Sequence, residues 1–167
     1  IPTRTMQKFL TEPYIEPSHS VPVLMSSVIA PILYEGTCLG MAGVDVTLAD
    51  IDKIADEASL YGGEGILLIL SNEGTIAGVT GDIGAVGKPL ASLAPALAVN
   101  EDSIQDVLSS EPGRIFRIGS YVGIVSDDVI GNPDFPWKIL VLVPSSILTA
   151  DAISLTILLV FFGILIS

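Results

Sequence analysis

Pro13-Tyr14-Ile15-Glu16, an apolar run from Val21 to Tyr34, the dipeptide Glu35-Gly36, and then Gly40-Met41-Ala42-Gly43-Val44-Asp45-Val46 leading into Thr47 decide the fold of this chain. Val, Ile and Leu dominate 21–34, and Pro22 and Pro31 lie near its ends, which suits a strand with bent ends. Glu35-Gly36 is a turn signal, and Cys38 to Val46 reads as the returning strand, so the two form an antiparallel pair. Gly40 and Gly43 inside the second strand predict a bulge or a close approach of neighbouring backbone. Thr47 follows as a helix N-cap, with Asp50 three residues on as its capping partner. Ile51, Ile54, Ala55 and Ala58 then recur at helical spacing to give one apolar face, and Gly62-Gly63 predicts a left-handed stop.

Working outward, residues 1–20 are polar and are broken by Pro2, Pro13 and Pro17. Beyond the helix, Ile66-Leu67-Leu68-Ile69-Leu70 reads as a buried strand. Ser71-Asn72-Glu73-Gly74 turns the chain, and Thr75 to Val79 returns as its hairpin partner. Gly81 to Lys88 is a glycine-spaced loop. Asn100 caps a short helix with Ile104, Val107 and Leu108 inward, ending near Pro112-Gly113. Arg114 to Val125 reads as two short strands joined around Gly119, and Lys138-Ile139-Leu140-Val141-Leu142-Val143-Pro144 as the last strand. Hairpins interleaved with short helices predict an α+β fold on antiparallel sheet, and the order does not fit a βαβ dinucleotide fold.

The chain has 167 residues, half of them apolar and 16% charged, with 7 basic against 19 acidic side chains and a net charge of −12. A field of that sign repels phosphate backbones, so nucleic-acid binding is not expected, and any cleft it lines favours cationic or amine-bearing ligands. Cys38 is the only cysteine, which excludes an internal disulfide, and its place in an apolar strand predicts a buried, inert thiol. The chain opens on Ile1 and closes inside the uncharged run 152–166, whose apolar residues cover every helical face. That run is shorter than the ~20 residues that span a bilayer. It reads as the start of a transmembrane helix, with a buried core helix as the alternative, and the whole as a fragment cut at both ends.

In sequence order, Thr11-Glu12-Pro13-Tyr14, Ala30-Pro31-Ile32, Gly43-Val44-Asp45-Val46, Gly87-Lys88-Pro89-Leu90 and the run Trp137 to Pro144 resemble double Cache domains. These are the PAS-like extracytoplasmic sensor regions of bacterial methyl-accepting chemotaxis proteins and sensor kinases. The resemblance implies PAS-like antiparallel sheet modules flanked by helices. Residues 1–47 would end a membrane-distal module, 48–145 would form the membrane-proximal module, and 146–167 would begin the second transmembrane helix. It further implies a homodimer in the inner membrane whose periplasmic domain binds an amino acid, amine or organic acid, with no cofactor and no enzymatic activity. In that family the tyrosine after proline and the aspartate ending the strand line the ligand pocket, which assigns Tyr14 and Asp45 as ligand-binding residues. Glu16 stands where many relatives carry Asp. The Arg, Trp and Tyr cluster that grips the ligand carboxylate in amino-acid-binding members would fall upstream of Ile1, and Arg4 lies too close to Tyr14 to replace it.

The residues suit that assignment chemically. An ammonium group wants a carboxylate with neutral oxygens, or an aromatic face. Asp45 supplies the first, Glu16 a second acceptor, and Tyr14 a hydroxyl and a ring. Without the resemblance, Asp45 reads instead as a strand-end carboxylate capping the helix that follows. His19 reads as a solvated turn residue, since one His makes a poor zinc site. Asp127-Asp128 with Asn132 and Asp134 reads as an exposed acidic loop, with a calcium loop as the alternative, because the spacing matches no EF-hand. Lys88 precedes Pro89, so the glycines from Gly74 to Gly87 do not cradle phosphate. Trp137 reads as core or membrane-interface packing. A chemoreceptor sensor is the first functional expectation. The alternatives are the sensor region of a histidine kinase or diguanylate cyclase, a ligand-free dimerisation module, and a tethered enzyme, which a single His and a strand-embedded Cys make poor.

Overall fold

A computed structural model describes residues 6–17, 21–81, 84–126, 131–132 and 134–148. The long apolar run forms β3 (Val23–Tyr34). On one side it pairs with β1 (Phe9–Leu10) and β2 (Tyr14–Glu16), and on the other with β4 (Thr37–Thr47), all antiparallel. The β3–β4 turn places Glu35 at φ 48° and Gly36 at φ 77°, the left-handed pair that matches the twist of a tight hairpin. Ile32 pairs with Gly40 and Leu33 with Cys38, so Leu39 is the extra residue of a bulge. A Cβ on Gly40 would meet nothing within 4 Å, so the bulge, not close approach, accounts for that glycine. Cys38 is half-buried rather than buried, because the hairpin tip projects from the core; its thiol donates to the Gly40 carbonyl at 3.3 Å.

Helix α1 (Leu48–Asp56) starts directly from β4, with Thr47 Oγ1 accepting from the Asp50 amide at 3.1 Å. Leu48 and Ala55 are buried on it, while Ile54, expected inward, is 65% exposed. The helix also ends earlier than Gly62-Gly63 suggests, at Asp56 with a right-handed cap at Glu57. The reason is lateral: Thr80 Oγ1 donates to the Ala55 carbonyl at 3.2 Å, and Asp56 Oδ1 accepts from the Gly81 amide at 2.9 Å. The last turn is thereby tied to the end of a neighbouring strand, and the two glycines take positive φ in a following 3-10 turn at Tyr61–Gly63.

The rest of the chain builds a second sheet from β5 (Ile66–Leu70), β6 (Ile76–Val79), β7 (Ile115–Ile118), β8 (Tyr121–Ser126) and, after the small ribbon β9 (Gly131–Asn132) and β10 (Phe135–Pro136), β11 (Lys138–Pro144). Its order is β6-β5-β11-β8-β7, antiparallel throughout, with the last strand in the centre. Between β6 and β7 lie α2 (Ala94–Leu97) and α3 (Glu101–Leu108), the latter capped by Asn100 Oδ1 accepting from the Ser103 amide at 2.9 Å. Leu68, Leu70 and Leu140 of the sheet pack with Leu93, Ile104 and Val107 in the main core. Hairpins with a central last strand and helices packed on the sheet are the PAS-like arrangement expected from the sequence.

Helix α1 lies over β6 on the other side. A Cβ on Gly78 would sit 2.9 Å from the Ile51 carbonyl oxygen and 3.0 Å from Asp52 Cα, so the absence of a side chain is what lets helix and strand touch. Asp52 Oδ1 reinforces the contact by accepting from the Val79 amide at 2.9 Å. Gly78→Ala is therefore expected to destabilise the protein by about 1–3 kcal/mol, because backbone on both sides must give; a lowered urea midpoint at unchanged slope checks it. Leu10, Leu48, Ala77 and Trp137 form a smaller cluster where the two sheets meet, which makes Trp137 a core residue. Among the described residues, no helix is long and apolar enough to cross a membrane. His19, Asp127, Asp128 and most of the expected transmembrane segment lie outside the described residues.

Candidate ligand-binding site

Strand pairing brings together residues far apart in sequence. Tyr14 is opposite Met25, Glu16 opposite Val23, and Ser27 opposite Asp45. Directly paired residues share a face and the face alternates along each strand, so Tyr14, Glu16, Ser27 and Asp45 all lie on one side of the first sheet. The Ser27 hydroxyl donates to Asp45 Oδ1 at 2.5 Å. The Tyr14 hydroxyl lies 2.8 Å from Ser27 Oγ and 3.4 Å from Asp45 Oδ1. Asp45 is exposed, whereas Tyr14 is half-buried and Ser27 is buried.

Behind this cluster, Thr11 fastens the β1–β2 connection to β3. Thr11 Oγ1 accepts from the Ser27 amide at 2.9 Å, and the Thr11 carbonyl accepts from Ser26 Oγ at 2.8 Å. The Tyr14 backbone is held three residues further on by its pairing with Met25. The cluster is consequently preorganised on strands rather than on loops, which keeps the acceptor in place before a ligand arrives.

Asp45 does not cap α1; Thr47 does. With Oδ1 occupied by hydroxyls, Oδ2 has no partner among the described residues. An exposed carboxylate steered by two hydroxyls, beside a tyrosine ring, is a fixed anionic acceptor suited to an ammonium group. Of the residues singled out in the sequence, Tyr14 and Asp45 are in hydrogen-bond contact, and Glu16 lies on the same face, half-buried, two positions along β2 from Tyr14. Sequence reading missed Ser27, which joins them. Its signal was there: Ser26-Ser27 is a polar pair inside the otherwise apolar run 23–34.

No protein-family model matches the chain. The methyl-accepting chemotaxis protein TlpQ of Pseudomonas aeruginosa is 28% identical over 156 residues, covering 92% of this chain and 21% of the receptor. The extracellular domain assigned to the histidine kinase mmHK1S-Z3 superposes with a TM-score of 0.64 at 23% identity, over 92% of this chain and 55% of that one. The ligand-binding domain of the Pseudomonas aeruginosa chemoreceptor PctB, in complex with L-Arg, gives 0.54 at 24% identity, over 86% and 57%. The chain thus spans about half the length of these solved domains. The two antiparallel sheets, the helix that leaves β4 and the superposition on these domains agree on one conclusion: this chain has the fold of the Cache-type sensor domains that chemoreceptors and histidine kinases carry.

Proposed function

We propose that this chain is the ligand-sensing part of a periplasmic receptor domain, and that it takes the ammonium group of a small solute at Asp45. The observation that carries the proposal is the Tyr14–Ser27–Asp45 cluster, with its hydrogen bonds of 2.5–3.4 Å on one open sheet face. Glu16 lies on the same side and adds a second acceptor. The presence of L-Arg in the PctB domain and of GABA in the PctC domain supports an amine-bearing ligand. In this reading residues 1–47 belong to a distal module and 48–145 to a proximal one, with the segment from 146 entering the inner membrane of a homodimeric receptor. Helix α1, which begins where Asp45 and Thr47 end β4 and then seats on β6, is the mechanical link between the two. Binding biases signalling only to the extent that the ligand prefers one arrangement of that link.

A chemoreceptor output is favoured by the likeness to TlpQ, and a histidine kinase output by the likeness to mmHK1S-Z3. Both share the same sensing step. A thermal-shift panel of amino acids, amines and amine-free organic acids on the purified protein tests it: stabilisation confined to ammonium-bearing compounds is expected. Stabilisation by amine-free acids alone would overturn the assignment. Tyr14→Phe removes the hydroxyl that hydrogen-bonds Ser27 at 2.8 Å and reaches Asp45 at only 3.4 Å, and is expected to weaken the stabilising amine about fivefold, corresponding to about 1 kcal/mol, read as the ratio of Kd values by calorimetry.

A further inference from the structure

Asp45 is joined to the second sheet by more than α1. Thr11-Glu12-Pro13-Tyr14 carries the chain from the end of β1 into β2, and its polar members are fastened to different partners. Thr11 is tied to Ser27 in both directions: its amide donates to the Ser27 carbonyl at 3.1 Å, and its Oγ1 accepts from the Ser27 amide. Tyr14 reaches Ser27 and Asp45 through its hydroxyl. Glu12, between them, turns the other way. Its Oε1 accepts from the Glu73 amide at 3.2 Å, in the turn between β5 and β6. Pro13 fixes its own φ and restricts Glu12 before it, so the four residues form a stiff strap.

The turn that Glu12 grips is held from its far side as well. Gly74 takes φ 83°, and a Cβ there would sit 3.0 Å from Leu108 Cδ1, so the turn rests against the last residue of α3. The Leu108 carbonyl accepts from Lys138 Nζ at 2.8 Å, at the first residue of β11. The weakest member of this series is Glu12. Its second carboxylate oxygen, Oε2, is shut off from solvent and has no hydrogen-bond partner among the described residues. An acceptor withdrawn from water without a donor is costly, and an orphan of this kind calls for an explanation. Here the cost offsets the bond that Oε1 makes. The junction is held lightly, and a small displacement of Thr11 opens it.

We propose that Glu12 is a latch between the two sheets, made or broken according to how Asp45 and Ser27 are held. Helix α1 links the Asp45 site to β6; the Thr11–Glu12 strap links the same site to the β5–β6 turn and, through Leu108 and Lys138, to β11. Coupling between distant sites needs an element with two arrangements that both ends bias, and the Glu12–Glu73 bond is that element. The inference rests on Asp45 as the sensing residue and extends it from binding to relay.

Hydrogen exchange and the chemical shift of the Glu73 amide report the latch, and Asp45→Asn perturbs the site without any ligand. Asn accepts the Ser27 hydroxyl less strongly than a carboxylate, which loosens Ser27 and the strap. Exchange at Glu73 is expected to quicken severalfold, with a shift of its resonance. In a Glu12→Ala background that amide is already released, and Asp45→Asn should leave it unmoved. Glu12→Gln, which keeps an oxygen for the amide, should restore the response. A Glu73 amide indifferent to Asp45→Asn in the otherwise unchanged protein overturns the proposal, whether or not the Glu12 variants fold. So does an equal response in the Glu12→Ala protein. Amine titration tests the sensing role separately: missing shifts at Ser27 and Asp45 would sink that reading and leave the exchange result as it stands.

Discussion

Asp45→Ala is expected to weaken binding of an ammonium-bearing ligand by roughly 2–5 kcal/mol, the loss typical when one partner of a desolvated charge pair is removed. In affinity that is a fall of about thirtyfold to several thousandfold. The folded state should barely register the change. Asp45 is exposed, α1 is capped by Thr47, and the Ser27 hydroxyl retains Tyr14 as a partner at 2.8 Å. Surface changes of this kind usually stay within about 0.5 kcal/mol. Asp45→Asn separates charge from shape: it keeps an acceptor for Ser27, and a loss of binding close to that of alanine would identify the charge as the active element. Calorimetry with the best stabilising amine and urea unfolding on the same preparations give both numbers. A large fall in the urea midpoint together with retained affinity would make Asp45 a structural residue.

The opposite pattern is expected for Leu140→Ala. Leu140 is 2% exposed on β11, the strand between β5 and β8, opposite Leu68 on one side and Val125 on the other. Removing its side chain opens a cavity in the main core and should destabilise the protein by about 2–5 kcal/mol. That is a sizeable share of the roughly 5–15 kcal/mol by which domains are stable. Ligand affinity of the protein that remains folded should be unchanged, since Tyr14, Ser27 and Asp45 belong to the other sheet. A stability loss below about 1 kcal/mol would contradict the central position of β11.

Much of this architecture is written in local sequence signals. The β3–β4 hairpin follows from an apolar run, a Glu-Gly turn and a second run with little interruption, and the capping residues Thr47 and Asn100 mark their helices as expected. What was not legible arises from tertiary contact. Ile54 repeats at the right interval for an inward face, yet α1 is seated on β6 through Ile51, Asp52 and Ala55, and the seat turns Ile54 outward. The helix end is likewise set by Thr80 and Gly81 from another strand, not by the glycines that follow it in sequence. Gly78 looked like an ordinary strand residue because the helix that rests on it lies more than twenty positions upstream.

The candidate site divides in the same way. Tyr14 and Asp45 stood out through family resemblance, and the pairing register supplies the physical reason they meet: each is on the same face as Ser27. Ser27 itself carries no motif, only polarity where the strand is otherwise apolar.

The most direct measurement of the central claim is a two-dimensional amide titration of the purified protein with the most stabilising amine of the panel. Binding at the proposed site predicts saturable shifts centred on Tyr14, Ser27 and Asp45, and their loss in Asp45→Ala. Saturable shifts elsewhere in the protein, with the amides of β2–β4 unmoved, would contradict it.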